Sequence, residues 1–412
     1  MTATQHEPTP STKTATSRAP SLRAALATMI APHAYIVATG IALPVLAPIA
    51  AADIGFDRAY VGLFSSANFG IAAVAVAFGA VFVARVGPIR AVQACALAGV
   101  LAVLTIATGS LWLLPLAAIL CGLSYAPPNP ASSPLLLALA PPARRSSIFS
   151  LKQISVPLGG AFSGFFLPPL AGAIGWQGAL LAMAALGVAI ILAIAPWRAT
   201  FDHVVANTSG EPKPATRPLK ALAALRHDRT LRAIGGMCFG FAALQYTFTG
   251  VFVVFLVARA KLDVVDAGAL LGFGLAGSIV MRVVWGALAD RFGDALVLLM
   301  LAIVMAGAAL TSVTVTSAWS WSALLALSVV FAGAAYSWNG VYLATVANVT
   351  GPERIADATA STMSLVFAGG LTGPIIYTAV LWATGDVGLG FGVLGLLALA
   401  VGVWVAWVLG RG

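Results

Sequence analysis

The chain has 412 residues, of which 60% are hydrophobic and only 8% charged, and its mean hydropathy is +0.98. A soluble domain carries about 25% charged residues, so this composition excludes a soluble globular protein. The formal net charge of +9 does not indicate nucleic acid as a partner, because the basic residues do not gather into one patch.

Apolar runs of about 20 residues follow one another along the chain, each long enough to cross about 30 Å of hydrocarbon as a helix. The alternation of apolar and polar residues that a membrane barrel needs does not occur. The predicted fold class is therefore an all-α membrane protein with 12 transmembrane helices. We place these spans at about 22–50, 59–84, 91–109, 112–140, 146–171, 177–195, 229–258, 264–289, 294–315, 319–349, 355–382 and 387–409.

Lysine and arginine concentrate in alternate connections between the predicted spans. Seventeen lie on the side that holds both termini, whereas only Arg58, Arg259 and Lys261 lie on the opposite side. Positive charge marks cytoplasmic loops, so we expect both termini in the cytoplasm. Residues 1–21 are rich in Thr, Ser and Pro and contain no signal peptide, which predicts a disordered cytoplasmic tail.

The chain contains two copies of a six-span unit. Matching residues recur in order, first at an offset of 206 and then at 210: Gly62 with Gly268, Arg85 with Arg291, Gly87 with Gly293, Asn129 with Asn339, Pro142 with Pro352, Arg144 with Arg354, and Gly159-Gly160 with Gly369-Gly370. We therefore expect an N-terminal six-helix bundle over 22–196, a polar cytoplasmic linker over 197–228 and a C-terminal six-helix bundle over 229–409. Parallel repeats of this kind are a known transporter architecture.

The polar turn after the eighth predicted span carries a family motif. Gly286, Asp290, Arg291 and Gly293 match the loop motif of the major facilitator superfamily, and the chain resembles that superfamily over about 22–409. The resemblance implies a bacterial multi-pass protein of the cell (inner) membrane that transports by alternating access. It assigns gating roles to those four residues and, in the first half, to Arg85 and Arg90. The first-half copy departs from the motif, with Ala80 and Ala84 where Gly and Asp are usual.

Arg282 lies within the eighth predicted span, four residues before the motif. An arginine at this place resembles the monocarboxylate and oxalate–formate type carriers, and implies an organic anion, specifically a carboxylate, as substrate. Those carriers often add an Asp one turn earlier or a Lys in the eleventh span. This chain has Ser278 and Thr362 at the corresponding positions.

Two basic residues lie within spans and have no acidic residue at their depth. All thirteen acidic residues lie in tails, connections or span ends. At a rise of about 1.5 Å per residue, Arg282 lies about 7 Å and Lys152 about 9 Å from mid-span toward the cytoplasm, with His33 near the same level. An unpaired buried charge is costly. Water, backbone carbonyl groups or an anionic substrate are the partners we expect for Arg282.

Each of these residues also has a structural interpretation. Arg282 could donate to carbonyl groups of a broken helix, Lys152 could extend to interfacial water, and His33 could be a hydrogen-bonded packing residue. Asn129 and Asn339, beside Pro and Gly, could satisfy freed backbone groups. The sequence leaves these interpretations open.

The predicted function is secondary active transport of a small organic anion, with proton symport through His33 as the coupling hypothesis, because His33 is the only mid-span group with an ordinary pKa near neutrality. Arg282 would bind the carboxylate through its planar fork. The predicted substrate-binding set comprises Arg282, Lys152, Gln153, His33, Asn129, Tyr125, Gln245, Tyr246, Trp338, Asn339 and Tyr342.

Three alternatives remain open. One is an exporter of drugs or neutral metabolites. A second is a copper importer, from Met29, His33, Met237 and Cys238, which two cations at the same depth disfavour. A third is a membrane protein that does not transport.

We expect a monomer in the lipid bilayer, with no enzyme activity, cofactor, bound metal or nucleic acid. The three cysteines imply no disulfide framework.

Overall fold

The computed structural model describes residues 21–125, 127–141, 144–202, 225, 228–350 and 355–411, and every regular element in these ranges is a helix. The all-α class is thus confirmed. The predicted tail at 1–20, most of the linker, and the repeat positions Pro142, Pro352 and Arg354 lie outside the described residues.

Seven α-helices form the first half within the described residues. Helix α1 begins behind Ser21, whose side chain accepts a hydrogen bond from Ala24 N, and it ends at Gly55, which has a left-handed φ of 84°. The helices are α1 (Leu22–Ile54), α2 (Val61–Val86), α3 (Pro88–Ala107), α4 (Leu114–Tyr125), α5 (Pro128–Leu139), α6 (Arg145–Gln153) and α7 (Ser155–Ile194).

Six helices form the second half. Asp228 caps the first of them by accepting hydrogen bonds from Thr230 N and Leu231 N. A short π-helical turn, Leu256–Ala260, extends it. The helices are α8 (Arg229–Phe255), α9 (Val264–Phe292), α10 (Asp294–Thr314), α11 (Trp321–Thr350), α12 (Ile355–Thr384) and α13 (Leu389–Leu409).

Ten helical runs within the described residues are long and apolar enough to cross a membrane, and Val61–Val76 is a shorter apolar stretch. The difference from twelve predicted spans arises at two places. The second predicted span contributes only the shorter stretch, and the fifth and sixth join in one run, Ser147–Asp202. Gly175, within this run, has non-helical angles (φ 78°, ψ 157°), so the helix is kinked between the two predicted spans.

Glycines matched by the internal repeat have matching structural roles. Gly87 and Gly293 end α2 and α9 with nearly equal angles, φ 89° and ψ 157° against φ 86° and ψ 152°. These angles require glycine, and both residues are followed at once by the next helix. Gly159 and Gly369 lie against backbone of α1 and α8 respectively, where a side chain would overlap the carbonyl groups of Ala34 and Phe239.

The two halves meet most extensively along two pairs of helices, α7 with α9 and α2 with α12, and α1 also contacts α8. Along the first pair, a Cβ on Gly164 would lie 2.5 Å from the Gly268 carbonyl oxygen. Along the second, a Cβ on Gly62 would lie 3.0 Å from the Pro374 carbonyl oxygen. The missing side chains thus let the backbones of opposite halves approach closely, as small residues do between membrane helices.

Large apolar side chains cover the outside of the bundle. Phe78 is 67% exposed, Val283 72% and Leu192 66%. Exposed apolar surface of this extent is unfavourable in water and favourable in lipid. Polar side chains are instead buried between the helices, among them Lys152, His33 and Gln245. The arrangement is the one that a bilayer requires.

We predict that Gly164→Ala lowers the thermal stability of the purified protein. The added methyl group would force α7 away from α9, at a cost of about 1–3 kcal/mol for overpacking. This outweighs the gain of about 0.5–1 kcal/mol that alanine brings to a helix. Gly172→Ala, on the same helix with no atom near the added carbon, is the matched control. Equal midpoints for both variants in detergent, followed by tryptophan fluorescence, would contradict the tight contact.

Candidate functional site

A small cavity lies between the two halves. Its volume of about 20 Å³ is that of one or two water molecules. The first half contributes residues of α1, α2, α4 and α7, and the second half contributes residues of α8 and α11. The polar side chains of the lining are all uncharged: Ser65, Asn68, Tyr125, Tyr246, Thr249 and Tyr336.

Three aromatic rings close the cavity across the boundary between the halves. The rings of Phe69 and Tyr246 lie 3.9 Å apart between centroids, and those of Phe69 and Tyr125 lie 5.6 Å apart, edge to face. The side chains of Tyr125 and Tyr246 also interact with each other. Gly370 of α12 leaves room for this cluster, because a Cβ there would lie 2.7 Å from Tyr246 Cδ2. A larger ligand requires these rings to separate.

Arg282 reaches the cavity wall through Tyr336. Its Nη2 donates a hydrogen bond of 2.9 Å to the Tyr336 carbonyl oxygen, and its buried Nε has no hydrogen-bond partner among the described residues. The Tyr336 hydroxyl lies within electrostatic range of the guanidinium and forms a hydrogen bond of 2.5 Å with Thr249 Oγ1. Of the three kinds of partner expected for Arg282, the structure therefore shows a backbone carbonyl group. The guanidinium has further N–H donors that can bind a second partner.

Gln245 is the centre of a polar cluster in the second half. Its Oε1 accepts hydrogen bonds from Trp338 Nε1 at 2.9 Å and from Asn339 Nδ2 at 3.3 Å. The ring of Trp338 packs against that of Tyr342 with centroids 5.4 Å apart. Gln245, Trp338 and Tyr342 are all buried. The cluster therefore fixes the wall behind Tyr336, and of the predicted residues in this half only Tyr246 lines the cavity itself.

Lys152 is buried with 2% exposure at the end of α6, and its Nζ donates a hydrogen bond to Asn129 Oδ1 of α5. It does not reach the interface, so the interpretation as a residue extending to interfacial water does not describe this structure. The Asn129 side chain thus accepts a hydrogen bond from Lys152. Its backbone carbonyl oxygen accepts hydrogen bonds from Ser132 Oγ and Ser133 Oγ. The neighbouring Gln153 is half-buried, and its Oε1 has no partner.

His33 lies beside Lys152, within electrostatic range, and is 1% exposed. Its Nδ1 forms a hydrogen bond of 2.7 Å with Ser155 Oγ, and its Nε2 has no hydrogen-bond partner in the part of the chain that the structure describes. The ring stands edge-on to Tyr125 at 6.3 Å between centroids. The first half thus brings together His33, Lys152 and Asn129, and Tyr125 joins this group to the cavity.

Neither the buried Lys152 nor the half-buried Arg282 is paired with an acidic side chain in the described parts of the chain. The two ion pairs there join Arg90 to Asp202 at 3.7 Å and Arg259 to Asp386 at 3.0 Å. No contact joins Arg282 to Lys152 or His33 in these parts; the basic groups form two clusters, one in each half. Lys152 lies with His33 in the first half and Arg282 lies against Tyr336 in the second half, and their common depth stays a prediction.

The gating motif lies at the surface. Asp290, Arg291 and Arg85 are exposed, and a Cβ on Gly286 would meet no atom within 4 Å. In the first half, Asp202 lies at the start of α3. Its Oδ1 accepts a hydrogen bond of 2.8 Å from Ile89 N. A carboxylate at this helix start is stabilised by the free backbone N–H groups.

Sequence reasoning missed Asp202 and three polar residues of the cavity, Ser65, Asn68 and Thr249. A signal was present in the second predicted span, where Ser65, Ser66 and Asn68 interrupt an apolar run within one turn. Polar side chains inside a membrane helix usually face the interior of the bundle. Asp202 gave no such signal, because it lies in the polar stretch after the sixth predicted span.

A helical membrane bundle with a polar cavity between two packed halves has the architecture of a secondary transporter. The profile of the Major Facilitator Superfamily matches residues 28–374, and the chain belongs to this superfamily. It is therefore a multi-pass membrane transporter and not an enzyme. No curated protein matches the chain by sequence.

Two solved structures show the same fold. A mutant of the nucleoside transporter NupG is 16% identical, with a TM-score of 0.73 over 94% of this chain and 99% of that one. A bacterial homolog of the human lysosomal transporter Spinster, in an inward-facing and occupied conformation, is 16% identical, with a TM-score of 0.65 over 94% of this chain and 96% of that one. At this identity the likeness concerns the fold alone.

We predict opposite stability changes for two substitutions of Asn129. Asn129→Leu removes the only hydrogen-bond partner that the described residues give Lys152 Nζ, so the free energy of unfolding falls by about 2–3 kcal/mol. Asn129→Asp pairs the buried cation with an anion and raises the melting temperature.

The control is a double-mutant cycle with Lys152→Met. Without the cation, Asn129→Asp buries an unpaired carboxylate, so its effect on the melting temperature reverses sign. The same shift in both backgrounds would show that Lys152 does not interact with residue 129.

Proposed function

We propose that the chain is a secondary active transporter of a small organic anion, specifically a carboxylate. The observation that carries the proposal is the pair of cations, Arg282 and Lys152, on either side of the central cavity with no acidic side chain paired to them among the described residues. A cation inside a membrane protein is costly unless its charge is balanced. A carboxylate in the cavity would balance it.

Arg282 is the proposed anchor of the carboxylate. A guanidinium offers five N–H donors in a planar fork, and one of them is engaged with the Tyr336 carbonyl group. The buried Nε without a partner is a donor that a carboxylate oxygen could occupy in a bidentate pair. Lys152 would add positive potential from the first half, with Gln153, Asn129 and Tyr125 beside it.

The proposed cycle is alternating access between two six-helix halves, with twelve spans and both termini in the cytoplasm of a bacterial cell. The ten membrane-length runs become twelve spans when Ser147–Asp202 is counted as two spans, divided at Gly175, and α2 is added. The close approaches at Gly62 and Gly268 lie near the starts of α2 and α9, which is the outer side in this topology. The structure would then represent a state closed to the outside, and outward opening would separate these contacts.

His33 is the proposed proton site. It is the one histidine among the described residues, and no acidic side chain lies near the cavity lining there. Its Nε2 has no partner and could take up a proton. Protonation beside Lys152 would be unfavourable in the empty protein and favourable once an anion balances the two charges. Substrate and proton would then cross together as a symport.

A neutral solute is the second candidate substrate, because every polar side chain that lines the cavity is uncharged. In that case Arg282 would serve only to hold the Tyr336 carbonyl group, and the protein could be an exporter of neutral metabolites. The fold shared with a nucleoside transporter is compatible with this alternative and does not decide between the two.

We predict that Arg282→Lys abolishes carboxylate binding and leaves the fold intact. An ammonium group keeps the charge and loses the planar pair of donors, so affinity should fall at least about tenfold. Binding is measured by calorimetry in detergent with a carboxylate that the wild type transports. Arg58→Lys, an exposed substitution in the outer turn, is the control. Wild-type affinity in Arg282→Lys would rule out the anchor.

We predict that His33→Gln retains exchange and loses accumulation. Glutamine can hydrogen-bond to Ser155 and cannot bind a proton near neutral pH. In proteoliposomes, counterflow of labelled substrate should therefore persist, while an inward proton gradient should no longer drive uptake above equilibrium. Gradient-driven accumulation in this variant would exclude His33 as the coupling residue.

A further inference from the structure

Two polar groups of α2 face the central cavity without a hydrogen-bond partner. Ser65 and Asn68 are each 2% exposed, and both line the cavity. Within the described residues, neither Ser65 Oγ nor Asn68 Oδ1 has a partner. A buried polar atom left without a hydrogen bond costs about 1–3 kcal/mol. Two such atoms in one cavity indicate that a polar ligand group belongs there.

The positions of both side chains are fixed by glycines of neighbouring helices. A Cβ on Gly40 of α1 would lie 2.9 Å from Asn68 Nδ2, so the amide nitrogen lies against the backbone of α1. A Cβ on Gly250 of α8 would lie 2.6 Å from Ser65 Oγ. Ser65 therefore contacts the second half, and Asn68 is held within the first. A ligand group placed between them bridges the two halves.

The chemistry of the pair selects a hydroxyl group. An amide oxygen only accepts, so the ligand must donate to Asn68; a serine hydroxyl can donate or accept, so the ligand may do either at Ser65. A hydroxyl group does both at once, whichever way the amide is turned. The cavity of about 20 Å³ has room for a group of this size and not for a whole substrate. A carboxylate would place two acceptor oxygens against the Asn68 acceptor.

We propose that Ser65 and Asn68 form a hydroxyl-recognition subsite, so that the substrate is a hydroxylated organic anion. The carboxylate half of this statement rests on the proposed function; the hydroxyl half rests on the two unpartnered groups of α2. Tyr336 connects the two ends, because it lines the cavity and its carbonyl group holds Arg282. A short hydroxy acid would bind with its hydroxyl group at α2 and its carboxylate toward Arg282.

The test compares ligands that differ only by a hydroxyl group. Lactate is paired with propionate and malate with succinate, and the neutral polyol erythritol is added; dissociation constants are measured by calorimetry on the full chain in detergent. We expect wild-type protein to bind the hydroxylated member of a pair about tenfold more tightly, the effect of one hydrogen bond to a buried group. Ser65→Ala and Asn68→Leu should each reduce this ratio to within about twofold.

Ser66→Ala is the matched control. Ser66 is a neighbour on the same helix, equally buried and also without a hydrogen-bond partner in the described residues, and it is not part of the cavity lining. In Ser66→Ala, the ratio of the affinities for the hydroxylated and the plain acid should keep its wild-type value. Because the ratio is measured on one preparation, it does not depend on the fraction of folded protein. Ser65→Ala removes a single oxygen and provides the test if Asn68→Leu does not fold.

Failure of this inference and failure of the proposed function give different results. Equal binding of both members of each pair, or a ratio that survives in Ser65→Ala and Asn68→Leu, overturns the hydroxyl subsite and leaves the anion proposal standing. Binding of erythritol that depends on Asn68, without binding of any acid, overturns the anion proposal and leaves the subsite. Absence of any ligand effect that depends on Ser65 or Asn68 overturns the subsite in every case.

Discussion

Inside a membrane protein, buried charge can be balanced only by what the fold itself provides or by what the fold binds. Lys152 and Arg282 make this constraint acute, because the described residues offer them an amide oxygen and a backbone carbonyl oxygen and no carboxylate. Both partners are neutral dipoles, and a neutral dipole stabilises a cation less than a carboxylate would. The bundle therefore keeps a positive potential around its central cavity. On this account, the potential is the source of substrate affinity, and the neutral lining of the cavity is the source of selectivity.

Close contact between helices of opposite halves makes the cavity possible and also limits it. Glycines such as Gly164 and Gly268 bring the backbones of α7 and α9 together, and the rings of Phe69 and Tyr246 fill the centre. Contacts of this kind have few intermediate arrangements, because packed interiors deform little. A substrate that binds between Arg282 and α2 would compete with the aromatic contacts directly. In this interpretation, substrate binding therefore requires the two halves to move relative to each other.

Much of the fold could be predicted from the sequence, because its signals are local. Apolar runs of sufficient length predicted the helices. Matched glycines predicted the internal repeat, and Gly87 and Gly293 indeed share one backbone conformation. The kink at Gly175 lies between the fifth and sixth predicted spans, which end at 171 and begin at 177. The site was less predictable, because it depends on which way side chains turn. Depth along a helix placed Arg282 and Lys152 at one level, but it could not show that each would find a partner within its own half. Ser65 and Asn68 were missed although they interrupt the apolar run of α2, because that signal does not show which neighbouring helices the two side chains face.

The most direct test of this account is uptake of labelled carboxylates into proteoliposomes, with and without an imposed pH gradient. The account predicts saturable uptake of a short carboxylate, inhibition by other carboxylates and not by neutral solutes of similar size, and accumulation when the inside is alkaline. Saturable uptake of a neutral solute, with no uptake of any carboxylate under either condition, would contradict it.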